Sequence, residues 1–319
     1  MDERRLGNSG MTTPPLVLGG NVFGWTADEG TSHAILDAFI DGGGRMVDTA
    51  DVYSAFAPGL KGGESERVIG SWIKSRGNRD RVLIATKVGW EWSHGKGLSA
   101  DYIACSVEQS LKRLQTDYID IYYAHADDPE TPLEETLEAF DRLKRAGMVR
   151  AIAASNYSAE RLTEALDLSA SRDLAAYAVV QPLYNLMDRK GFEDRLQELC
   201  LKRDLAALPY FGLASGFLTG KYRSAADLEG RPRGPYLQGY MNARGQRVLA
   251  ALDKVAAETG AVPAQVALAW TAAQPGVAAP IASATSLAQM EELLGAMRLT
   301  LTAEQLDHLD AASRETDNA

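Results

Sequence analysis

The chain has 319 residues, 45% of them apolar and 24% charged, the balance of a globular core beneath a solvated surface. A formal net charge of −10 argues against nucleic acid or an anionic membrane as partner, although a local cationic pocket can still take an anionic ligand. No stretch approaches the roughly 20 apolar residues of a membrane span, and the opening MDERRLGNSG lacks the apolar core of a secretory signal. The expected location is therefore the cytoplasm. Cys105 and Cys200 lie far apart in sequence with no histidine nearby and read as reduced core thiols, not as nucleophiles.

In chain order, RRLGNSGMTTPPL reads as a small hairpin turning at Asn8-Ser9-Gly10, placed to plug the bottom of a barrel. Eight short apolar runs rich in β-branched residues follow: Leu16–Gly19, Arg45–Thr49, Val82–Val88, Tyr118–Ala124, Val149–Ala154, Ala178–Pro182, Leu205–Tyr210 and Val277–Ala282. Between them lie amphipathic stretches such as Ser32–Asp41, Glu64–Ser75, Ala100–Leu114, Leu133–Ala146 and Ala159–Leu168. Ser99 is the expected N-cap of the third helix and Gly147 the residue closing the fourth. Strands alternating with helices, and no linker, predict parallel βα units in one domain spanning 1–319. Eight units favour an α/β fold of the (β/α)8 TIM barrel type over a doubly wound sheet. The first βα turn, LGGNVFGWT, also lacks the spaced glycines of a dinucleotide-binding fingerprint.

Two connections exceed what a bare barrel needs: GWEWSHGKG after the third strand, and Ser215 to Arg244 after the seventh. Both leave strand C-terminal ends, where barrel enzymes keep their chemistry. The second, third and fourth strands end in MVDTADVYS, IATKVG and DIYYAHADD, which bring Asp48, Tyr53, Lys87 and His125 to one rim. An isolated Asp, Tyr or His at a strand end is ordinary capping or packing. A lysine closing the apolar run VLIAT needs a partner, and the four together make a coherent site. Tyr53 is the expected proton donor, Lys87 a cation that lowers its pKa, and Asp48 the carboxylate holding Lys87. His125 would polarise a carbonyl oxygen.

These motifs resemble those of the aldo-keto reductases. The likeness runs through DTADVY, ATK, DIYYAH, AASNYS, VVQPLYN and GFLTGKY, nearly the whole chain. It implies an oxidoreductase that reduces an aldehyde or ketone with NADPH, or runs the reverse, without a Rossmann domain. By position it implies that Ser155, Asn156 and Gln181 hold the nicotinamide carboxamide and that Tyr210 stacks on the ring. Gly212, Leu213, Ser215, Gly216, Leu218 and Lys221 would wrap the pyrophosphate, with Gly20, Asn21 and Phe23 on the opposite side of the cleft. The eighth-strand loop offers Ser283, Ala284, Thr285 and Gln289 where basic residues commonly meet a 2′-phosphate, while Glu292 is retained toward the adenine. That departure opens the site to NADH as well, unless Lys221, Arg223, Arg231 or Arg233 substitutes. Phe23, Trp25, Trp90, Trp92 and Tyr184 are the expected substrate wall, and the short tail SRETDNA does not look like the long C-terminal substrate loop of the steroid and aldose reductase branches.

No metal is expected, since His33, His94, His125 and His308 are dispersed and form no His-x-His pair. The remaining alternative is a cofactor-binding, redox-sensing subunit with little turnover, as some relatives of the family are. A small carbonyl or alcohol is the expected partner. The sequence leaves the oligomeric state open.

Overall fold

The computed structural model describes residues 2–230 and 234–315. Arg231, Arg233 and the last four residues of the tail lie outside the described residues. The chain opens with β1 (Arg4–Arg5) and β2 (Thr12–Thr13), an antiparallel pair joined by a turn over Gly7–Ser9. Leu6 N–H donates to Met11 O at 2.9 Å, and both side chains are buried in a cluster with Val17, Met46 and Leu83. Gly7 sits at φ +55, and a Cβ there would collide with the Ala178 carbonyl. Only glycine lets the hairpin approach the strand bearing Ala178 so closely.

The barrel units follow as β3 (Val17–Gly19), α1 (Glu29–Asp41), β4 (Met46–Asp48), α2 (Glu64–Arg76), β5 (Leu83–Val88), α3 (Ala100–Leu114), β6 (Ile119–Ala124), α4 (Leu133–Arg145), β7 (Val149–Ser155), α5 (Ala159–Arg172) and β8 (Tyr177–Gln181). Two short helices, α6 (Lys190–Glu193) and α7 (Leu196–Lys202), precede β9 (Ala206–Ala207). The long connection after β9 is broken into helical turns, including α8 (Gly234–Leu237), before α9 (Ala243–Thr259), α10 (Pro263–Ala273) and β10 (Ile281–Ala282). Helices α11 (Leu287–Ala296) and α12 (Ala303–Ser313) end the described chain.

The eight strands from β3 to β10 pair in parallel, in the order β10-β3-β4-β5-β6-β7-β8-β9. The ring closes where Ala207 bridges Val277: Ala207 N–H donates to Gly276 O and Ala278 N–H to Ala207 O, both at 2.9 Å. This is the expected (β/α)8 barrel with its N-terminal hairpin. The period-2 alternation of strand side chains produces two cores. Leu83, Ala85, Ile121, Tyr123, Ala151, Ala153 and Val179 fill the interior with Leu6 and Met11. Ile84, Val88, Tyr122, Ile152 and Val180 face the helices. Inward positions at the C-terminal strand ends are polar instead, at Asp48, Lys87, Ser155 and Gln181.

Local capping chemistry sets most helix bounds. Asp28 accepts from Thr31 N–H at 2.8 Å, so α1 begins three residues before the expected start. Gly147 sits at φ +75 and donates to Lys144 O, while Met148 N–H reaches Leu143 O, the paired bonds of a left-handed helix stop. The Ser99 side chain makes no cap. Glu135 of α4 accepts the Ala100 N–H at 2.9 Å in its place, a tertiary contact that local sequence does not encode. Cys200 is buried, its thiol pushed up to about 12 by burial, but Cys105 is exposed, not a core thiol.

Leu6→Ala, which opens a hole at the sealed end of the barrel, should cost about 2–5 kcal/mol in urea unfolding. A loss below about 1 kcal/mol would mean that the hairpin does not close the core.

Candidate active site

Three strand ends and one turn converge at the C-terminal rim. Lys87, the fifth residue of β5, has no exposed surface. Its ammonium donates to Asp48 Oδ2 at 2.7 Å, to Thr49 O at 2.8 Å and to the Tyr53 hydroxyl oxygen at 2.8 Å. The Tyr53 hydroxyl donates to Asp48 Oδ2 at 3.2 Å, and Gln181 Nε2 holds the other Asp48 oxygen at 2.8 Å. His125 follows β6, with its ring centroid 6.2 Å from that of Tyr53 and its Nδ1 buried without a hydrogen-bond partner among the described residues. All four expected residues are thus brought together, joined by Thr49 and by Tyr123, whose buried ring lies 5.8 Å from the ammonium. Tyr123 was legible in principle, being two residues before His125 on the inward face of DIYYAH.

The electrostatics revise one expectation. Burial, and after it the Asp48 carboxylate, pushes the Tyr53 phenol well above its ordinary value. Lys87 does not win against these. Burial lowers the Lys87 ammonium, with Asp48 opposing. Burial also drives His125 well below the ordinary imidazole value, with Lys87 adding to the effect. The resting site therefore holds a protonated phenol and a neutral imidazole, a proton donor beside a hydrogen-bond donor at neutral pH.

Next to this cluster, Ser155 Oγ donates to Gln181 O at 2.9 Å. Asn156, left-handed at φ +56, donates to His125 O and to Ser155 Oγ. Tyr210 O–H donates to Asn156 Oδ1 at 2.9 Å, so the amides implied for a carboxamide and the ring implied for stacking form one connected patch. Beyond Tyr210 the backbone turns through positive φ at Phe211 (56), Ala214 (46), Ser215 (56) and Gly216 (99). Lys221 Nζ lies 3.7 Å from where a Gly216 Cβ would stand. A concave backbone turn with an exposed ammonium beside Gly216 suits an anionic, phosphate-bearing group, so the residues present fit a nicotinamide dinucleotide. Leu218 is fully buried and offers only backbone.

Across the cleft, Ser283 Oγ donates to Asn21 Oδ1 at 2.5 Å, and Gln289 Oε1 accepts from Thr285 N–H and Oγ1. Ala284 is buried and Glu292 exposed, with Gln265 bonded to its backbone oxygen. Arg223 is held bidentately by Asp253 at 2.7 Å and also bonds Gly220 O, so it is no free phosphate ligand.

The expected aromatic wall divides. Trp90, 46% exposed, stands 5.1 Å from the His125 ring, and half-buried Trp25 meets Phe56 edge-on at 5.1 Å. Phe23 is fully buried beneath Gly20. Tyr184 is also fully buried, donates to Glu193 and packs on Phe192 and Trp270. Trp92 donates to the Tyr102 hydroxyl and packs on His94 and Gly62. The exposed Phe56 and Phe211 were not foreseen, because loop positions carry no periodic signal.

Among the described residues no three His, Cys, Asp or Glu side chains are grouped to hold a metal, and no helix is long and apolar enough to cross a membrane. A family model described as the Aldo/keto reductase family matches residues 15–314. The chain is similar to "Aldo-keto reductase YhdN" of Bacillus subtilis, 33% identical over 94% of this chain and 88% of that protein. It is also similar to "Probable voltage-gated potassium channel subunit beta" of Oryza sativa subsp. japonica, 33% identical over 98% and 96%. "L-glyceraldehyde 3-phosphate reductase" of Escherichia coli O157:H7 is 30% identical over 97% and 92%.

The raised Tyr53 phenol has a spectroscopic consequence. The absorbance difference between the unaltered protein and Tyr53→Phe should show no phenolate up to pH 10.0, where an ordinary tyrosine is half ionised. An unfolded chain releases that proton near pH 10.0 and the folded one keeps it, so this group weakens the fold only as pH rises above that value. A phenolate appearing near neutral pH would restore Lys87 as the dominant influence.

Proposed function

Because the chain belongs to the aldo/keto reductase family, we propose that it is an NAD(P)H-dependent oxidoreductase reducing an aldehyde or ketone to the alcohol, or running the reverse. The observation that carries this reading is the buried Lys87 ammonium, 2.8 Å from the Tyr53 oxygen and 2.7 Å from Asp48. The whole chain is taken as one barrel domain.

When bound, the nicotinamide supplies a hydride to the carbonyl carbon. Tyr53 gives its proton to the carbonyl oxygen, and Lys87 stabilises the phenolate left behind. Asp48 keeps Lys87 in place and is itself tethered by Gln181. His125, neutral and with Nδ1 buried, donates from Nε2 to the same carbonyl oxygen, orienting and polarising it. Ser155, Asn156 and Gln181 hold the carboxamide, and Tyr210 covers one face of the ring. The backbone of Gly212, Leu213, Ser215, Gly216 and Leu218, with Lys221, holds the pyrophosphate. Gly20 and Asn21 line the opposite side, over Phe23 as floor. Ser283, Ala284, Thr285, Gln289 and Glu292 face the adenosine end. Among the residues named for that end none is a cation, Arg223 is engaged by Asp253 and Lys221 is assigned to the pyrophosphate, so none of the described candidates is left for a 2′-phosphate. NADPH is proposed on the family likeness, with NADH as second cofactor. Trp25, Phe56 and Trp90 are proposed as the substrate mouth.

A binding role with little turnover is the alternative that the channel-subunit name of one relative brings. The intact contacts among Asp48, Tyr53 and Lys87 favour turnover.

Tyr53→Phe should lower kcat by about 10²–10⁴ with an aromatic aldehyde while the Kd for NADPH stays within a factor of about two. Retained activity would sink the assignment of Tyr53. Lys87→Met should be comparably damaging, and its melting temperature must be measured beside its rate, since it leaves Asp48 buried without its cation. Absence of turnover by the unaltered protein with NADPH and NADH, despite tight binding of either, would favour the alternative.

A further inference from the structure

Asn185, in the turn after β8, has no exposed surface, so no ligand reaches it. Every polar atom of its side chain is nevertheless engaged. Oδ1 accepts Met187 N–H at 2.7 Å and Asp188 N–H at 3.0 Å, while Nδ2 donates to Asp188 Oδ2 at 2.9 Å and to Phe211 O at 3.0 Å. The last bond crosses to Phe211, which follows Tyr210 in the long connection after β9. Phe211 needs such a hold. It is a bulky residue at φ +56 that is 52% exposed, its ring meeting that of Tyr210 edge-on at 5.1 Å, and the conformation is costly for such a residue. Its carbonyl also accepts Ala214 N–H at 2.7 Å, so one oxygen anchors the turn from both sides.

Tyr210 stands immediately before that turn. Its N–H donates to Pro182 O at 2.9 Å and its hydroxyl to Asn156. The far end of the same connection returns to the same point, where Tyr240 O–H donates to Asp188 Oδ2 at 2.7 Å, the oxygen that Asn185 also binds. One buried amide thus fastens the loop at its first turn and, through Asp188, near its last.

We propose that Asn185 is a positioning residue that presets Tyr210 and the left-handed backbone after it for the cofactor. The inference rests on the reading that Tyr210 and this loop carry the nicotinamide and pyrophosphate. Only a side chain with a donor and an acceptor on one plane serves here. Aspartate, of the same shape, would turn an acceptor toward the Phe211 carbonyl and a second carboxylate toward Asp188.

The test is equilibrium binding of NADPH and of NADH, read by quenching of protein fluorescence, alongside melting temperature and steady-state rates. Asn185→Asp should raise the Kd of both by about tenfold or more, with kcat at saturating cofactor falling far less than Kd rises. The exchange Asn185→Asp with Asp188→Asn restores a donor–acceptor pair within the turn, with the Tyr240 hydroxyl turned to accept from the new amide, but nothing that donates to Phe211 O. The exchanged protein should regain melting temperature and keep the raised Kd, and it carries the test if the single variant does not fold. A Kd that recovers together with the melting temperature, or an unchanged Kd in Asn185→Asp, would overturn the proposal and leave Asn185 a structural residue. Failure of the unaltered protein to bind either cofactor would instead overturn the functional reading, and this inference with it.

Discussion

An ammonium with no exposed surface cannot stand in the mouth of an apolar barrel unless its charge and its donors are met; desolvating one ion costs several kcal/mol even after relaxation. Lys87 is met by Asp48, the Thr49 carbonyl and the Tyr53 oxygen, and the rest of the site follows from that requirement. Asp48 must be held to serve, and Gln181 holds it from the opposite side of the ring. Side chains of β4, β5 and β8 are thereby tied across the barrel mouth as well as through the backbone ladder. A second carboxyl, Asp51, is close enough to raise Lys87. Burial and the neighbouring Glu66 push Asp51 well above the usual carboxylate range. Glu66 itself is engaged by Arg113 at 2.6 Å and by Thr86. The carboxylate in direct contact with the lysine is Asp48, the same one that accepts the Tyr53 hydroxyl.

Backbone strain is distributed in a way that separates scaffold from site. Of the non-glycine residues with positive φ among those described, Gln115, Asp173 and Asp204 end helices, an ordinary use of that conformation. Ser54, Asn156, Phe211, Ala214 and Ser215 all lie on segments leaving strand C-terminal ends. Such residues persist only where their surroundings over-determine them. Here the determinants are visible: Ser54 donates to Phe23 O, Asn156 bridges His125 and Tyr210, and Asn185 holds Phe211.

The fold was legible because alternation along strands is a local signal. A lysine in the inward register of VLIATK, an aspartate in that of MVD and a histidine after DIYYA can be placed on one rim by counting residues. Bonds between distant elements leave no such trace. The Ser99 cap failed because Glu135, 35 residues on, accepts the N–H instead. Tyr184 looked like a rim aromatic, but Glu193 and Trp270 draw it inward. The sign of the Tyr53 shift depended on how far burial and Asp48 outweigh the ammonium, a balance that residue types alone do not express. The Asp28 cap, by contrast, is a local signal, an aspartate three residues ahead of the Thr31 N–H that it accepts.

In the proposed reading, proton transfer rests on strand ends and most of the recognition on connections, with Gln181 shared between them. The proposed proton donor, Tyr53, stands on a turn but is fixed by the strand-end side chains Asp48 and Lys87 through buried hydrogen bonds, where a displaced atom would expose an unpaired charge. Of the residues proposed for cofactor and substrate, Ser155 and Gln181 close β7 and β8, while the backbone turns after Tyr210, the neutral side chains from Ser283 to Thr285 and the aromatics Trp25, Phe56 and Trp90 stand on connections. The loop arginine Arg223 is spent on Asp253, stiffening its own loop. Loop residues that touch no member of the Lys87 cluster can change identity at little cost to the barrel.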